Sequence, residues 1–184
     1  MKAEISRVLL EQIMALAAAE PGEVCGLLLG QGARIDAIRL AANVAPDPAR
    51  HFELAPATLL AAHRAARRGG PAVLGHYHSH PSGVPIPSET DRACAAPDGA
   101  LWLIVGAGAV RAWVAGPDGE GGVAFVEALL DIRSCKGGEP GLHHRLGKPS
   151  REGVFSRKSG GLHLHDPSDR QHRICQPSLL APLP

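Results

Sequence analysis

The 184-residue chain lacks several features that would assign it to a broad class of protein. Its 19 lysines and arginines nearly balance 18 aspartates and glutamates, so no overall charge attracts nucleic acid or an anionic membrane. No segment approaches the ~20 consecutive apolar residues of a membrane span. The apolar stretch within residues 1–26 is interrupted by Glu11 and Gln12, which predicts an amphipathic helix rather than a signal peptide.

Cysteine is scarce, and its spacing matches no disulfide framework. The chain contains no CxxC pair, and its four cysteines are Cys25, Cys94, Cys135 and Cys175. We therefore expect a cytoplasmic protein in a reducing compartment. A zinc nucleobase deaminase needs a paired HxE and PCxxC signature, and that pair does not occur.

Against this background, the segment HSHPSGVPIPSETD from His78 to Asp91 is the most informative part of the chain. The preceding PAVLGHYHSH predicts a strand that ends at Pro81 and places His78 and His80 on one face. Ser88 then begins a predicted helix whose first turn contains Asp91. Two imidazoles and one carboxylate leave one tetrahedral position free, which is the open geometry of a catalytic zinc site.

Each of these residues also has an alternative structural interpretation. Ser88 with Asp91 is close to a helix capping box, and an HxH pair on a strand is often not a pair of ligands. The combination of all three features at this spacing favours the metal site. His76 shares the same face, but a strand rises about 3.3 Å per residue, so the Cα atoms of His76 and His80 should lie about 13 Å apart. We therefore interpret His76 as a packing or pocket-wall residue.

A general base is predicted earlier in the chain. Glu23 directly precedes VCGLLLG, an apolar run typical of a buried strand. A carboxylate at the mouth of this strand could accept a proton from water and deliver it to a leaving nitrogen. The alternative is that Glu23 caps the turn after the first helix.

Taken together, PGEVCGLLLG, HFELAP and VLGHYHSHPSGVPIPSETD resemble the JAMM, or MPN-plus, zinc metalloprotease family. That family has a Glu, a long gap, HSHP or HTHP, a short spacer and Ser-x-x-Asp. The resemblance covers roughly residues 3–131 and points to the stand-alone prokaryotic Mov34/MPN/PAD-1 type. It implies that His78, His80 and Asp91 bind one Zn²⁺, that Glu23 is the catalytic acid and base, and that Ser88 is the catalytic oxyanion donor.

The resemblance also implies a fold and a function. We expect an α/β protein with one JAMM/MPN-like domain over residues 1–133, in which helices flank a mixed sheet with cytidine deaminase-like layering. The implied reaction is peptidase or isopeptidase cleavage of an amide at the C-terminus of a ubiquitin-like or sulfur-carrier protein. The alternatives are a zinc- or peptide-binding module without turnover and a RadC-like DNA-processing accessory factor. The oligomeric state stays open.

Patterning along the chain predicts the order of its elements. The predicted helices lie at about 5–19, in PATLLAAHRAARRG and after Ser88. The predicted strands lie near 24–30, 34–43 and 72–80, and in the pair ALWLIVGAG and VRAWVAG. The segment VAFVEALLDIR fits either a strand or a helix.

Composition changes near Ser134. Residues 134–184 are rich in glycine, proline, serine and basic residues without hydrophobic periodicity, so we expect a disordered tail. Half of the ten histidines lie there: His143, His144, His163, His165 and His172. Adventitious metal or an acidic partner could bind them, but a solvated extension is the preferred interpretation.

Overall fold

The computed structural model describes residues 1–81 and 83–134, so the predicted tail lies almost entirely outside the described residues. Within this part, the elements are β1 (Lys2–Ser6), α1 (Arg7–Ala19), β2 (Cys25–Gln31), β3 (Arg34–Ala41), α2 (Pro56–Arg67), β4 (Ala72–His80), α3 (Glu89–Cys94), β5 (Leu101–Gly106), β6 (Ala109–Pro117) and β7 (Val123–Arg133). None of these helices has both the length and the apolar character needed to cross a membrane.

The strands form a mixed sheet in the order β1-β3-β2-β4-β5-β6-β7. Parallel pairing joins β4 to β5, and β1 is parallel to both β3 and β7, so the sheet closes on itself. The predicted mixed sheet with helices is confirmed. The closure by β1 was not predicted, since the sequence pattern placed a helix from about residue 5, whereas α1 begins at Arg7 after a five-residue strand.

Successive residues of a strand point to opposite faces of the sheet. The apolar strands of this sheet therefore present side chains on both faces, and helices cover both. In β2, Leu28 packs into the main core with Ile13 of α1 and Tyr77 of β4. Its neighbours Leu27 and Leu29 pack on the other face against Ala62 of α2. Complete burial of an Ile13-sized side chain contributes roughly 1.5–3 kcal/mol, so α1 is a substantial part of the core.

A bulge in β4 sets the orientation of the histidines. The pairing with β2 passes from Leu28↔Gly75 to Leu29↔Val73, which skips one residue of β4. A Cβ atom at Gly75 would overlap the carbonyl group of Leu101 on β5, so only glycine fits there. From this bulge onward, β4 runs between β2 and β5 towards its end at His80.

Candidate metal centre

Two histidines lie at the end of β4, where strand pairing fixes their backbone. His78 pairs with Cys25 of β2 and Ile104 of β5, and its side chain is completely buried. The chain turns directly after His80, where the Gly83 N–H donates to the His80 carbonyl. The same turn brings the Val84 carbonyl within 3.1 Å of His80 Nδ1. A proton on Nδ1 would be donated to that carbonyl, which leaves Nε2 with its lone pair towards the site.

Asp91 enters from the first turn of α3. Ser88 is the N-cap, and its hydroxyl accepts from the Asp91 N–H at 3.0 Å. In return, Asp91 Oδ2 accepts from the Ser88 N–H at 2.7 Å and from the Ser88 hydroxyl at 2.8 Å. This is a complete capping box, yet Asp91 is only 5% exposed and faces the histidines. The cap and the ligand interpretation are therefore compatible rather than alternatives.

The three donor groups converge on one point. The two Nε2 atoms of His78 and His80 are 3.0 Å apart. Asp91 Oδ1 lies 3.4 Å from His78 Nε2, and Oδ2 lies 3.4 Å from His80 Nε2. Tetrahedral zinc with bonds of about 2.0–2.1 Å places its ligand atoms about 3.3–3.4 Å apart. The donor set therefore fits one Zn²⁺, and no other such group of His, Cys, Asp or Glu occurs in residues 1–81 and 83–134.

The electrostatics of this group favour a cation. Burial lowers the pKa of His78, which keeps its imidazole neutral. Burial also lowers the pKa of His80, but hydrogen bonds to Asp91 and Val84 outweigh that effect and raise it overall. Burial would raise the pKa of Asp91, yet its hydrogen bonds with both histidines hold that pKa well below the usual range. The buried carboxylate thus favours positive charge between the donors, which a bound Zn²⁺ would supply.

Glu23 lies just before β2 and beside the same cleft. Its N–H donates to the Pro48 carbonyl at 2.7 Å. The next residue, Val24, exchanges two hydrogen bonds of 2.9 Å with Ser79, which lies between the histidines. Burial raises the pKa of Glu23 to about 7, with His80 lowering it and Asp91 raising it. A carboxyl group that titrates near neutrality is suited to act as a general base.

The cleft contains Ser88 as well as Glu23. Its lining consists of Glu23, Arg50, His51, Phe52, Ser88, Thr90, Asp91, Cys94 and Trp102. The hydroxyl proton of Ser88 is directed at Asp91 in the structure. Donation to a substrate oxygen requires a rotation of that hydroxyl.

Sequence analysis missed the aromatic wall behind the histidines. The Phe52 ring stacks on the His78 ring with centroids 4.2 Å apart and planes 18° apart. The Trp102 and His76 rings meet edge-on with their centroids 4.0 Å apart, which agrees with a packing role for His76. The scarcity of aromatic residues was the available signal, since the chain has only three Phe, two Trp and one Tyr. In the structure four of these rings share one cluster: Phe52, Trp102, Trp113 and Phe125.

Comparison with known proteins identifies the family. The model for prokaryotic homologs of the JAB domain, Prok-JAB, matches residues 6–116. The chain belongs to the Prok-JAB family. The matched residues contain both Glu23 and the segment from His78 to Asp91. The resemblance to the stand-alone prokaryotic JAMM/MPN type is thereby confirmed.

The chain is similar to several known proteins. The chain is similar to a desampylase from Haloferax volcanii, with 41% identity over 86 residues, which are 46% of this chain and 62% of that protein. It therefore spans less than two thirds of that relative. A desampylase from Pyrococcus furiosus is 33% identical over 106 residues, 57% of this chain and 75% of that protein. The solution structure of a Desulfitobacterium hafniense protein matches with a TM-score of 0.59 and 26% identity, covering 77% of this chain and 99% of that chain.

Proposed function

We propose that this Prok-JAB protein is a zinc-dependent hydrolase of amide bonds. The observation that carries the proposal is the convergence of His78 Nε2, His80 Nε2 and the Asp91 carboxylate at 3.0–3.4 Å. Glu23, with a pKa of about 7, lines the same cleft as Asp91. Three protein ligands and a nearby proton acceptor are the parts that a zinc peptidase needs.

In the proposed mechanism, His78, His80 and Asp91 would hold the zinc ion. A bound zinc ion would supply Lewis-acid chemistry, polarising the scissile carbonyl and lowering the pKa of water to about 7. Glu23 accepts a proton from the attacking water and delivers it to the departing amine nitrogen. Ser88 rotates its hydroxyl from Asp91 to the developing oxyanion, a contribution of roughly 10²–10³-fold in rate for a single donor.

We further propose that the substrate is the C-terminal tail of a ubiquitin-like or sulfur-carrier protein, joined by an amide to a peptide or a lysine. Both desampylase relatives support this substrate class through their names. An extended tail can add to a strand through its main chain. We propose β3 as the strand to which the tail adds, because β3 pairs with β1 only at Arg34 and Ile35. The far end of β3 is close to the site, since Ala41 pairs with Cys25, the β2 partner of His78.

The variant Glu23→Gln tests the function. The amide keeps the shape of the side chain but cannot accept a proton, so we expect full zinc content and loss of turnover. Zinc content and cleavage of sulfur-carrier fusions would be measured on the same sample, with chelated wild-type protein as the control. Zinc loss in the variant would make Glu23 a ligand instead. Zinc-loaded wild-type protein that binds the fusions without cleaving them would favour a binding module.

We also propose that the protein works in the cytoplasm without a nucleic-acid or membrane partner. The near balance of charged residues supports the absence of a nucleic-acid or membrane partner. The free, buried thiol of Cys25 is typical of a reducing compartment, whereas the disulfide at Cys94 counts against one. Cell fractionation tests the location, and a protein found in the secreted or periplasmic fraction would contradict the proposal.

A further inference from the structure

One side chain outside the candidate metal centre makes four hydrogen bonds. Asn43 is the single asparagine of the chain and follows β3. Its Nδ2 donates to the Glu23 and His51 carbonyls, both at 2.9 Å. Its Oδ1 accepts from the N–H groups of Ala45 and Glu53, both at 3.0 Å. These bonds use both donors and both acceptor positions of the amide.

The partners of Asn43 lie on two sides of the candidate site. On one side is Glu23, whose carbonyl is bound by Asn43 and whose N–H is bound by Pro48 of the same loop. On the other side are His51 and Glu53, the two neighbours of Phe52. The Phe52 ring stacks on His78. Asn43 therefore connects the backbone of the proposed base to the backbone that carries the aromatic wall of a proposed ligand.

The loop between β3 and α2 forms no continuous ladder of backbone hydrogen bonds. Between β3 and α2, the pairing across residues 42–55 consists of one isolated bridge, Asn43↔Leu54, with flanking backbone bonds between Val44 and Glu53 and between Ala55 and Ala42. A loop without a sheet or helix ladder needs side chains to satisfy its backbone groups. The amide of Asn43 meets that need at four points.

We propose that Asn43 is a positioning residue for the reaction, and this inference rests on the proposed function. The four bonds of its amide go to backbone groups. Through them Asn43 fixes the backbone at Glu23 and around Phe52 relative to the proposed zinc ligands. An aspartate would keep both acceptors but lose both donors and place negative charge against two carbonyl oxygens. Aspartate and asparagine have nearly the same size. If Asn43 only filled space, aspartate would replace it, whereas positioning requires the two donors of the amide.

The test compares Asn43→Asp with the wild-type protein, using Asp36→Asn as the matched control. Asp36 pairs with Arg34 on the exposed part of β3, so its charge change should alter nothing at the site. We expect N43D to keep one zinc per chain and to lower kcat by roughly 10–100-fold, with KM changed less than about threefold.

Hydrogen exchange separates a failure of this inference from a failure of the proposed function. In metal-free N43D the carboxylate still accepts from Ala45 and Glu53, so we expect the rise, at least about tenfold, at the amide of Glu23, whose carbonyl loses its donor, with the core amide of Leu103 unchanged. If the wild-type protein cleaves no substrate but N43D shows this exchange, the proposed function fails and the positioning stands. Unchanged exchange and unchanged kcat would overturn the inference.

A second variant covers the case in which N43D does not fold. Asn43→Ser is neutral but too short to reach both carbonyls, and the same exchange and rate changes are expected from it. If Asn43→Ser folds with normal exchange and rate, the amide is not needed for positioning, and if neither variant folds, Asn43 is a folding residue. Either result makes the inference wrong.

Discussion

At the scale of single residues, Glu23 combines a chemical advantage with a cost in stability. Its carboxyl is half-buried, and burial raises its pKa from 4.5 to about 7. The folded protein therefore binds this proton more tightly than the unfolded chain does. The contribution to stability is fully present below pH 4.5 and is lost as the pH rises through about 7.

The variant Glu23→Gln should therefore stabilise the metal-free protein at high pH. At about pH 8 we expect a gain of roughly 1–2 kcal/mol, a value reduced from the full linkage because the carboxyl is partly solvated. At about pH 4 the gain should nearly vanish, since the wild-type carboxyl is then largely protonated in both the folded and the unfolded state.

Urea denaturation of both proteins at the two pH values measures this difference. An equal gain at both pH values would mean that the amide improves packing rather than removing a buried charge.

At the scale of elements, α3 depends on its first turn. A helix of six residues has little intrinsic stability, and the capping box between Ser88 and Asp91 satisfies its first N–H groups. The same two side chains lie at the candidate metal centre. Folding of this helix and orientation of the carboxylate are thus one event.

Replacing Ser88 by Ala should separate stability from rate. The loss of an N-cap costs about 1 kcal/mol, and the loss of an oxyanion donor costs roughly 10²–10³-fold in kcat. Asp91 keeps its bond from the Ser88 N–H, so zinc content should stay near one per chain.

Ser88→Thr is the matched control, because it keeps the hydroxyl and should keep most of the rate. Thermal melting, zinc analysis and kcat are measured on both variants. A Ser88→Ala protein that melts earlier but cleaves at the wild-type rate would leave Ser88 only a helix cap.

Local patterns predicted most elements but not the closure of the sheet. Alternation and turn residues were sufficient for β4 and for the β5–β6 pair. The pattern of β7 fitted a strand or a helix equally, and pairing with β6 and β1 decides for the strand. The five residues of β1 are too few for a periodic signal, and their partners lie far away in sequence.

The candidate site divides in the same way. The residues His78, His80, Ser88 and Asp91 occur in one short motif, so their proximity could be predicted from local spacing and from the family resemblance. The positions of Asn43 and Phe52 could not, because each is a single residue in a loop. Their contacts with Glu23 and His78 depend on how β2 and β4 are brought together.

At the scale of the whole molecule, β7 is required for the core. Its residue Ala128 is buried in the main cluster, and its last residue, Arg133, pairs with Ser6 of β1. A folded unit that ends before Leu129 would lose every pairing between β1 and β7 and leave the sheet open. The boundary at residue 133 remains a prediction, since residues 135–184 lie outside the described part.

Truncation after Arg133 should leave a folded, zinc-loaded domain, because the later residues are too polar and glycine-rich to complete a core. Circular dichroism, melting temperature and zinc content test this, with truncation after Gly122 as the control that removes β7 and should unfold.

If the tail is a passive extension, cleavage rates will match those of the full chain. If its histidines compete for metal or cover the cleft, truncation will raise the rate or alter the zinc stoichiometry. Aggregation or a much lower melting temperature would place the boundary later.

The parallel alignment of β1 and β7 has a mechanical consequence. Lys2 lies beside Leu129, and Arg133 lies beside Ser6, so a pull applied at Lys2 and Arg133 drags the two strands past each other lengthwise. The ion pairs Lys2–Asp131 and Arg133–Glu4 span the same seam. Under such tension the cross-strand bonds must stretch together in shear rather than open one at a time. The seam that closes the sheet therefore resists force most strongly along its own direction.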